Sequence, residues 1–168
     1  LFLVHKYNCV SNSYQMLVEA IKASKGEKER NSLTVLLAFV RGVHPDVLSD
    51  IEDLIKSSNK TTDPLILAYG SLASSLPPQL QLHVIQFLHS RMDQNDEEAL
   101  THLIHSMGNT ESNMTVKFLT SSLEHNNPSI QLAAIYALRY FTASMDVQQS
   151  LLNALYSDSS EKVVEMTL

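Results

Sequence analysis

The stretch Pro128–Phe141, PSIQLAAIYALRYF, decides the fold. Ile130, Ala133, Ala134, Ala137, Leu138 and Phe141 recur at steps of three and four and so lie on one helical stripe. Leu132, Ile135, Tyr136 and Tyr140 cover much of the remaining surface, and a helix that apolar is expected to be sandwiched between neighbours. Asn127 can cap its start, and Pro128 fits the first helical position because its missing N–H would be unpaired there anyway.

The same punctuation recurs upstream. Asp63-Pro64 launches PLILAYGSLASSL, with Leu65, Ala68, Tyr69, Leu72 and Leu76 on one stripe and Gly70 permitting close approach of a neighbour. Pro77-Pro78 starts a helix carrying Leu80, Val84, Ile85, Leu88 and Met92. The next helix, to about Met107, turns Ala99, Leu100, Leu103, Ile104 and Met107 inward, and Gly108-Asn109 reads as its left-handed cap. Closer to the beginning, an extended or fraying start through Cys9 gives way to a helix over about Ser13–Ser24, with Tyr14, Leu17, Val18 and Ile21 on one face. A second helix from Glu27 to Arg41 packs Leu33, Leu36, Leu37 and Val40, ending at Gly42. In a third, from Pro45, Val47, Leu48, Ile51, Leu54 and Ile55 face inward and Asp50, Glu52, Asp53 and Lys56 outward. Further helices are expected over Asn113–Glu124 and Asp146–Tyr156, with another start near Ser159 or Ser160. Nothing alternates cleanly enough to be a strand.

About ten short helices joined by short loops make an all-α domain of stacked antiparallel pairs. Leu119 and Leu123 recur as Leu151 and Leu155, and Leu100 with Leu103 as Leu132 with Ile135, at an offset of about 32 residues. Matching Ile130 to Val163 takes about 33, so each unit is a helix pair with an approximate period, the pattern of a HEAT-like α-solenoid. Val163, Val164 and Met166 are left needing a partner at the last unit. The chain opens at Leu1 without methionine, so residues 1–168 are expected to be a single helical-repeat domain within a larger chain.

Composition narrows the function. A 168-residue chain that is 44% hydrophobic supports a sizeable core. Four glycines give no basis for phosphate-cradling loops, and no apolar run is long enough to span a membrane. The formal net charge is −6 and the twelve lysines and arginines are scattered, so no nucleic-acid partner is expected. The single Cys9 can form no internal disulfide and reads as a buried thiol or one that pairs outside the chain. Asn59-Lys60-Thr61 and Asn113-Met114-Thr115 are acceptor triplets for N-glycosylation.

Catalytic constellations are not apparent. Glu98, His102 and His105 share a helix face with metal-like spacing, but no fourth ligand is evidently placed, and a polar exposed face accounts for them. Gly70-Ser71-Leu72 lacks the context of a nucleophile elbow, and Glu97-Glu98 and Glu52-Asp53 read as solvated faces. The seven histidines are scattered along the surface pattern. No enzyme activity, cofactor or metal is expected.

Three segments in order, LILAYGSLAS (Leu65–Ser74), ALTHLIHSMGNTES (Ala99–Ser112) and IQLAAIYALR (Ile130–Arg139), resemble the helical domain of the large lipid transfer proteins: vitellogenins, apolipoprotein B, insect lipophorins and the microsomal triglyceride transfer protein. The likeness spans roughly Asp63 to Val164, and Ser74 and Ser75 stand where some relatives carry cysteines. It implies a double layer of helices in a right-handed superhelix, wrapped around lipid-enclosing β-sheets elsewhere in the parent chain. It further implies a non-catalytic scaffold serving lipid transport, a place in the secretory pathway, in the endoplasmic reticulum lumen or outside the cell, and a protein partner such as protein disulfide isomerase. From the residues alone, an intracellular HEAT-repeat adaptor remains the alternative.

Overall fold

The computed structural model describes residues 2–39, 45–58, 63–93 and 96–156, with residues 2–12 and Asp46 described as backbone only. Among them are nine α-helices and three 3₁₀ segments, and no strand. The helices are α1 (Phe2–Ala23), α2 (Glu27–Phe39), α3 (Pro45–Ser57), α4 (Pro64–Ala73), α5 (Pro78–Ser90), α6 (Glu97–Asn109), α7 (Val116–Ser121), α8 (Pro128–Ala137) and α9 (Met145–Tyr156).

The even-numbered helices form a row in which α2 packs on α4, α4 on α6 and α6 on α8. The odd-numbered helices lie against this row: α1 on α2 and α3, α5 on α4 and α6, α7 on α6 and α9. Three members of the row start on matched caps. The Asp63 carboxylate accepts from the Leu65 N–H at 2.9 Å, the Asp96 carboxylate from the Ala99 N–H at 3.0 Å, and the Asn127 side-chain oxygen from the Ser129 N–H at 2.8 Å. The caps are spaced by about 33 and then about 31 residues, so the helix-pair period is carried by the starts of α4, α6 and α8. Asp63 also holds a neighbour, because Arg30 on α2 donates to its other oxygen at 2.8 Å and so ties α2 to the first turn of α4.

The row is tight because two positions lack a side chain. A Cβ on Gly70 of α4 would overlap the Ser106 carbonyl oxygen of α6, and one on Gly108 of α6 would sit 2.6 Å from Ala137 Cβ of α8. At the first contact the Ser106 hydroxyl donates to the Ile66 carbonyl at 2.6 Å, so two helix backbones are joined by a single small side chain. The close approach expected at Gly70 is therefore present. Gly108, in contrast, is not a left-handed cap: α6 runs on through Asn109, and the residue with positive φ is Glu111, at 52°. Glycine stands at position 108 because α8 lies against it.

Other expectations change in detail. α1 begins at Phe2 rather than near Ser13, since no proline or glycine interrupts it, whereas the buried stripe of Tyr14, Val18 and Ile21 starts only later. In α2, Leu37 is buried but Leu36 is exposed, and Thr34 takes a core position by donating its hydroxyl to the Arg30 carbonyl at 2.9 Å. The expected inward residues of α4 and α6 are all buried, as are Val47, Leu48, Ile51 and Ile55 of α3. The Asn113–Glu124 helix is present as 3₁₀, α7 and 3₁₀ in succession, and 3₁₀ geometry also ends α8 over Leu138–Phe141. Hydroxyls of Thr120, Ser121 and Ser122 turn back onto carbonyls of the preceding turn, which bends and tightens the backbone there.

The buried stripe of the opening stretch is as read, from Ile130 to Phe141. The sandwich is incomplete, because Leu132 and Ile135 are half-buried and Tyr136 and Tyr140 are exposed. The leucine repeat is likewise carried unevenly: Leu119 and Leu123 are buried, but Leu155, the counterpart of Leu123, is exposed. Residues 157–168, with the expected start near Ser159 or Ser160 and the partner-seeking Val163, Val164 and Met166, lie outside the described residues, as do Val40 to Gly42.

Replacing Gly70 or Gly108 by alanine is expected to lower stability by about 1–3 kcal/mol, because the neighbour each Cβ meets includes backbone that can yield only by parting two helices. The helix-propensity gain of about 1 kcal/mol does not offset this. Urea denaturation of the two variants measures it, and a stabilised Gly70→Ala protein would show that the contact is slack.

Candidate functional site

The largest departure from the sequence reading is Glu52. Grouped with Asp50, Asp53 and Lys56 as an outward residue of α3, it is 8% exposed. Its Oε1 accepts from the Tyr69 hydroxyl of α4 at 2.5 Å and lies 2.8 Å from His83 Nε2 of α5, while Lys56 Nζ stands 3.9 Å from Oε2. One carboxylate thus joins three consecutive helices. Phe87 closes the cluster, with its ring edge-on to Tyr69 at 5.4 Å between centroids and the Lys56 ammonium 5.6 Å above it. Burial, then the Glu52 hydrogen bond and charge, push the Tyr69 phenol far above its ordinary range, so it stays protonated and donates at every pH the protein would meet.

Helical periodicity misplaces Glu52 because its partners are 17 and 31 residues away, beyond the reach of any local pattern. The signal for it is Tyr69, a phenol in a largely apolar helix, whose hydroxyl needs a partner once buried.

Of the residues with metal-like spacing, Glu98 is exposed and offers its backbone carbonyl, not its carboxylate, to His102 Nδ1 at 3.1 Å. Among the described residues no three His, Cys, Asp or Glu side chains are placed to hold a metal ion. His105 is half-buried, and burial, the neighbouring His102 and Arg139 hold its imidazole below the usual range. Arg139 is itself braced: it donates to the Tyr136 carbonyl at 2.6 Å and to Asn109 Oδ1 at 3.3 Å, linking the ends of α6 and α8, and lies 4.1 Å over the Tyr140 ring.

Asn113 is exposed at the start of a 3₁₀ turn, whereas Thr115 is fully buried with its hydroxyl donated to the Ser112 carbonyl at 2.8 Å. Of the triplet, the asparagine is open to solvent in the folded protein and the threonine is not. Asn59 lies outside the described residues, and so does the side chain of Cys9.

Taken together, these are the features of an all-helical domain whose buried polar groups fasten helices to one another. The chain matches the Vitellogenin TPR domain over residues 11–163, and it belongs to that family, the helical domain of the large lipid transfer proteins. No curated protein and no solved structure matches it. The cap spacing of about 33 and 31 residues lies nearer the 34-residue period of tetratricopeptide repeats than the longer HEAT period, in keeping with the name of the family.

Two outcomes test the polar groups. Tyr69→Phe is expected to cost about 1–3 kcal/mol, and a double-mutant cycle with Glu52→Gln should show coupling; coupling near zero would mean that the bond does not hold α3 to α4. For His105 the folded pKa lies below the unfolded one, so the unfolded chain binds more protons and stability falls as pH drops through the ordinary imidazole range. His105→Gln should therefore lose less stability than the parent between about pH 7 and about pH 5, measured by urea midpoints.

Proposed function

We propose that the chain is a non-catalytic scaffold domain of a lipid transfer or lipoprotein-type protein. The family match over residues 11–163 carries this reading. In it, the row of even helices and the helices that line it are part of a solenoid with right-handed superhelical twist, wrapped around lipid-enclosing sheets of the parent protein. The domain supports lipid transport by holding that shape and by offering a surface to protein partners, of which protein disulfide isomerase is one candidate from the family.

The site chemistry is in keeping with a scaffold. Glu52, Tyr69 and His83 are engaged with one another across three helices, an arrangement that suits holding helices in place. Exposed Asn113 suits a glycoprotein of the secretory pathway, and no helix among the described residues is long and apolar enough to cross a membrane. An intracellular adaptor would use the same row of helices, but no observation favours it over the family match.

The full-length protein, purified from its native source, is expected to carry lipid detectable by mass spectrometry after solvent extraction, and to shift in mass on N-glycosidase treatment at Asn113. A lipid-free protein with an unmodified Asn113 would sink the reading.

A further inference from the structure

A cleft of about 690 Å³ opens between α7 with its following 3₁₀ turn, the first turns of α8, and α9. Its size falls within the range of ligand sites, and three carboxamides stand in its lining among hydroxyl, charged and apolar side chains. Gln131 of α8 is the telling residue. It is 8% exposed, it lines the cleft, and its side chain makes no hydrogen bond to any described residue. A carboxamide so nearly buried normally has its donor and acceptor satisfied within the protein, and here the cleft is the side from which they can be reached. Asn153, across the cleft on α9, accepts from Gln149 Nε2 at 2.9 Å through Oδ1, which leaves its own NH₂ to donate. Asn126, from the turn before α8, adds a third carboxamide to the lining.

We infer that this cleft binds the main chain of an extended polypeptide segment from a partner protein. A primary carboxamide carries one carbonyl and an NH₂, so it can accept from a peptide N–H and donate to a peptide C=O in one plane. The lining disfavours other ligands. Among the described lining residues Lys117 stands with Glu124 and no second Lys or Arg, so they form no cationic cluster of the kind a phosphate or other anion requires. Among the described lining residues the one ring is the His125 imidazole, whose Nδ1 accepts from the Asn127 N–H at 3.1 Å, and Leu123 and Ala154 contribute only modest apolar surface. The inference rests on the reading of the domain as a partner-binding scaffold and names where a partner strand is held.

Random dodecapeptides displayed on phage and panned against the protein are expected to enrich binders, whose affinities fluorescence anisotropy then measures. Gln131→Leu keeps the bulk and removes both donor and acceptor, and should weaken binding about tenfold. Asn153→Trp fills the mouth from the exposed side of α9, where folding is not at stake, and should abolish binding. N-methylation of single main-chain nitrogens in the bound peptide should reproduce the Gln131→Leu loss at one position, which contacts through peptide side chains alone would not do. Peptides indifferent to both substitutions would overturn the cleft and leave the scaffold reading standing, since the lipid content of the full-length protein tests that separately. Failure to enrich any peptide would overturn the inference, as would chitooligosaccharide or inositol hexakisphosphate binding that is lost in Asn153→Trp.

Discussion

The contact between Gly70 and Ser106, with its counterpart between Gly108 and Ala137, sets the spacing of everything else. Helices normally pack with side chains interleaved between their axes. Here α4 meets α6, and α6 meets α8, at points where one partner has no side chain and the other has a hydroxymethyl or a methyl group. Such contacts fix register as well as distance, because a slide of one residue along the helix puts a Cβ where the neighbour's backbone already lies. The caps at Asp63, Asp96 and Asn127 then matter for more than their own helices. By fixing where each helix begins, they fix which residue arrives at the close contact.

A row built this way is reinforced by side chains, and buried polar groups fasten helices both within the row and beside it. Glu52 reaches α4 and α5 from α3, and Asp63 joins α2 to α4 through Arg30 while capping α4. Each carboxylate serves more than one donor, so removing it strands several groups together, which is the condition under which a buried polar network imposes one arrangement of its elements. Apolar burial along the same helices supplies the larger share of the driving force but little direction, since leucine and isoleucine stripes tolerate rotation.

This division explains what is legible in the sequence. Within the described residues the all-helical class, most helix boundaries and the buried stripes of α3, α4 and α6 follow from three-to-four periodicity, proline at the first helical position and a capping residue, all of which are local. The family is legible for the same reason, in LILAYGSLAS, ALTHLIHSMGNTES and IQLAAIYALR, because closely packed helices constrain short segments strongly. Periodicity misplaces Glu52, whose partners lie on other helices, and Leu36, which stays exposed while Thr34 takes a core position on the same helix. Gly108 stands out by residue type, yet the type alone points to the wrong cause. A glycine near a helix end satisfies both a left-handed cap and a close contact, and only the position of α8 distinguishes them.

The same logic separates two kinds of carboxamide in the chain. Asn127 is engaged by its own helix and Asn109 by Arg139, so their places in the fold account for them. Gln131 has no such engagement among the described residues. It occupies a place on α8 that an alanine or leucine could fill without loss of any hydrogen bond, and it lies one turn beyond the cap of a helix that is otherwise uniformly apolar on its buried side. A polar group held that near the interior keeps only part of its hydration, and a ligand entering the cleft can offer it hydrogen bonds in place of that water. Glu52, Asp63 and Ser106 direct their polar atoms to neighbouring helices, whereas Gln131 presents its own to the cleft, the part of the fold whose chemistry is directed outward.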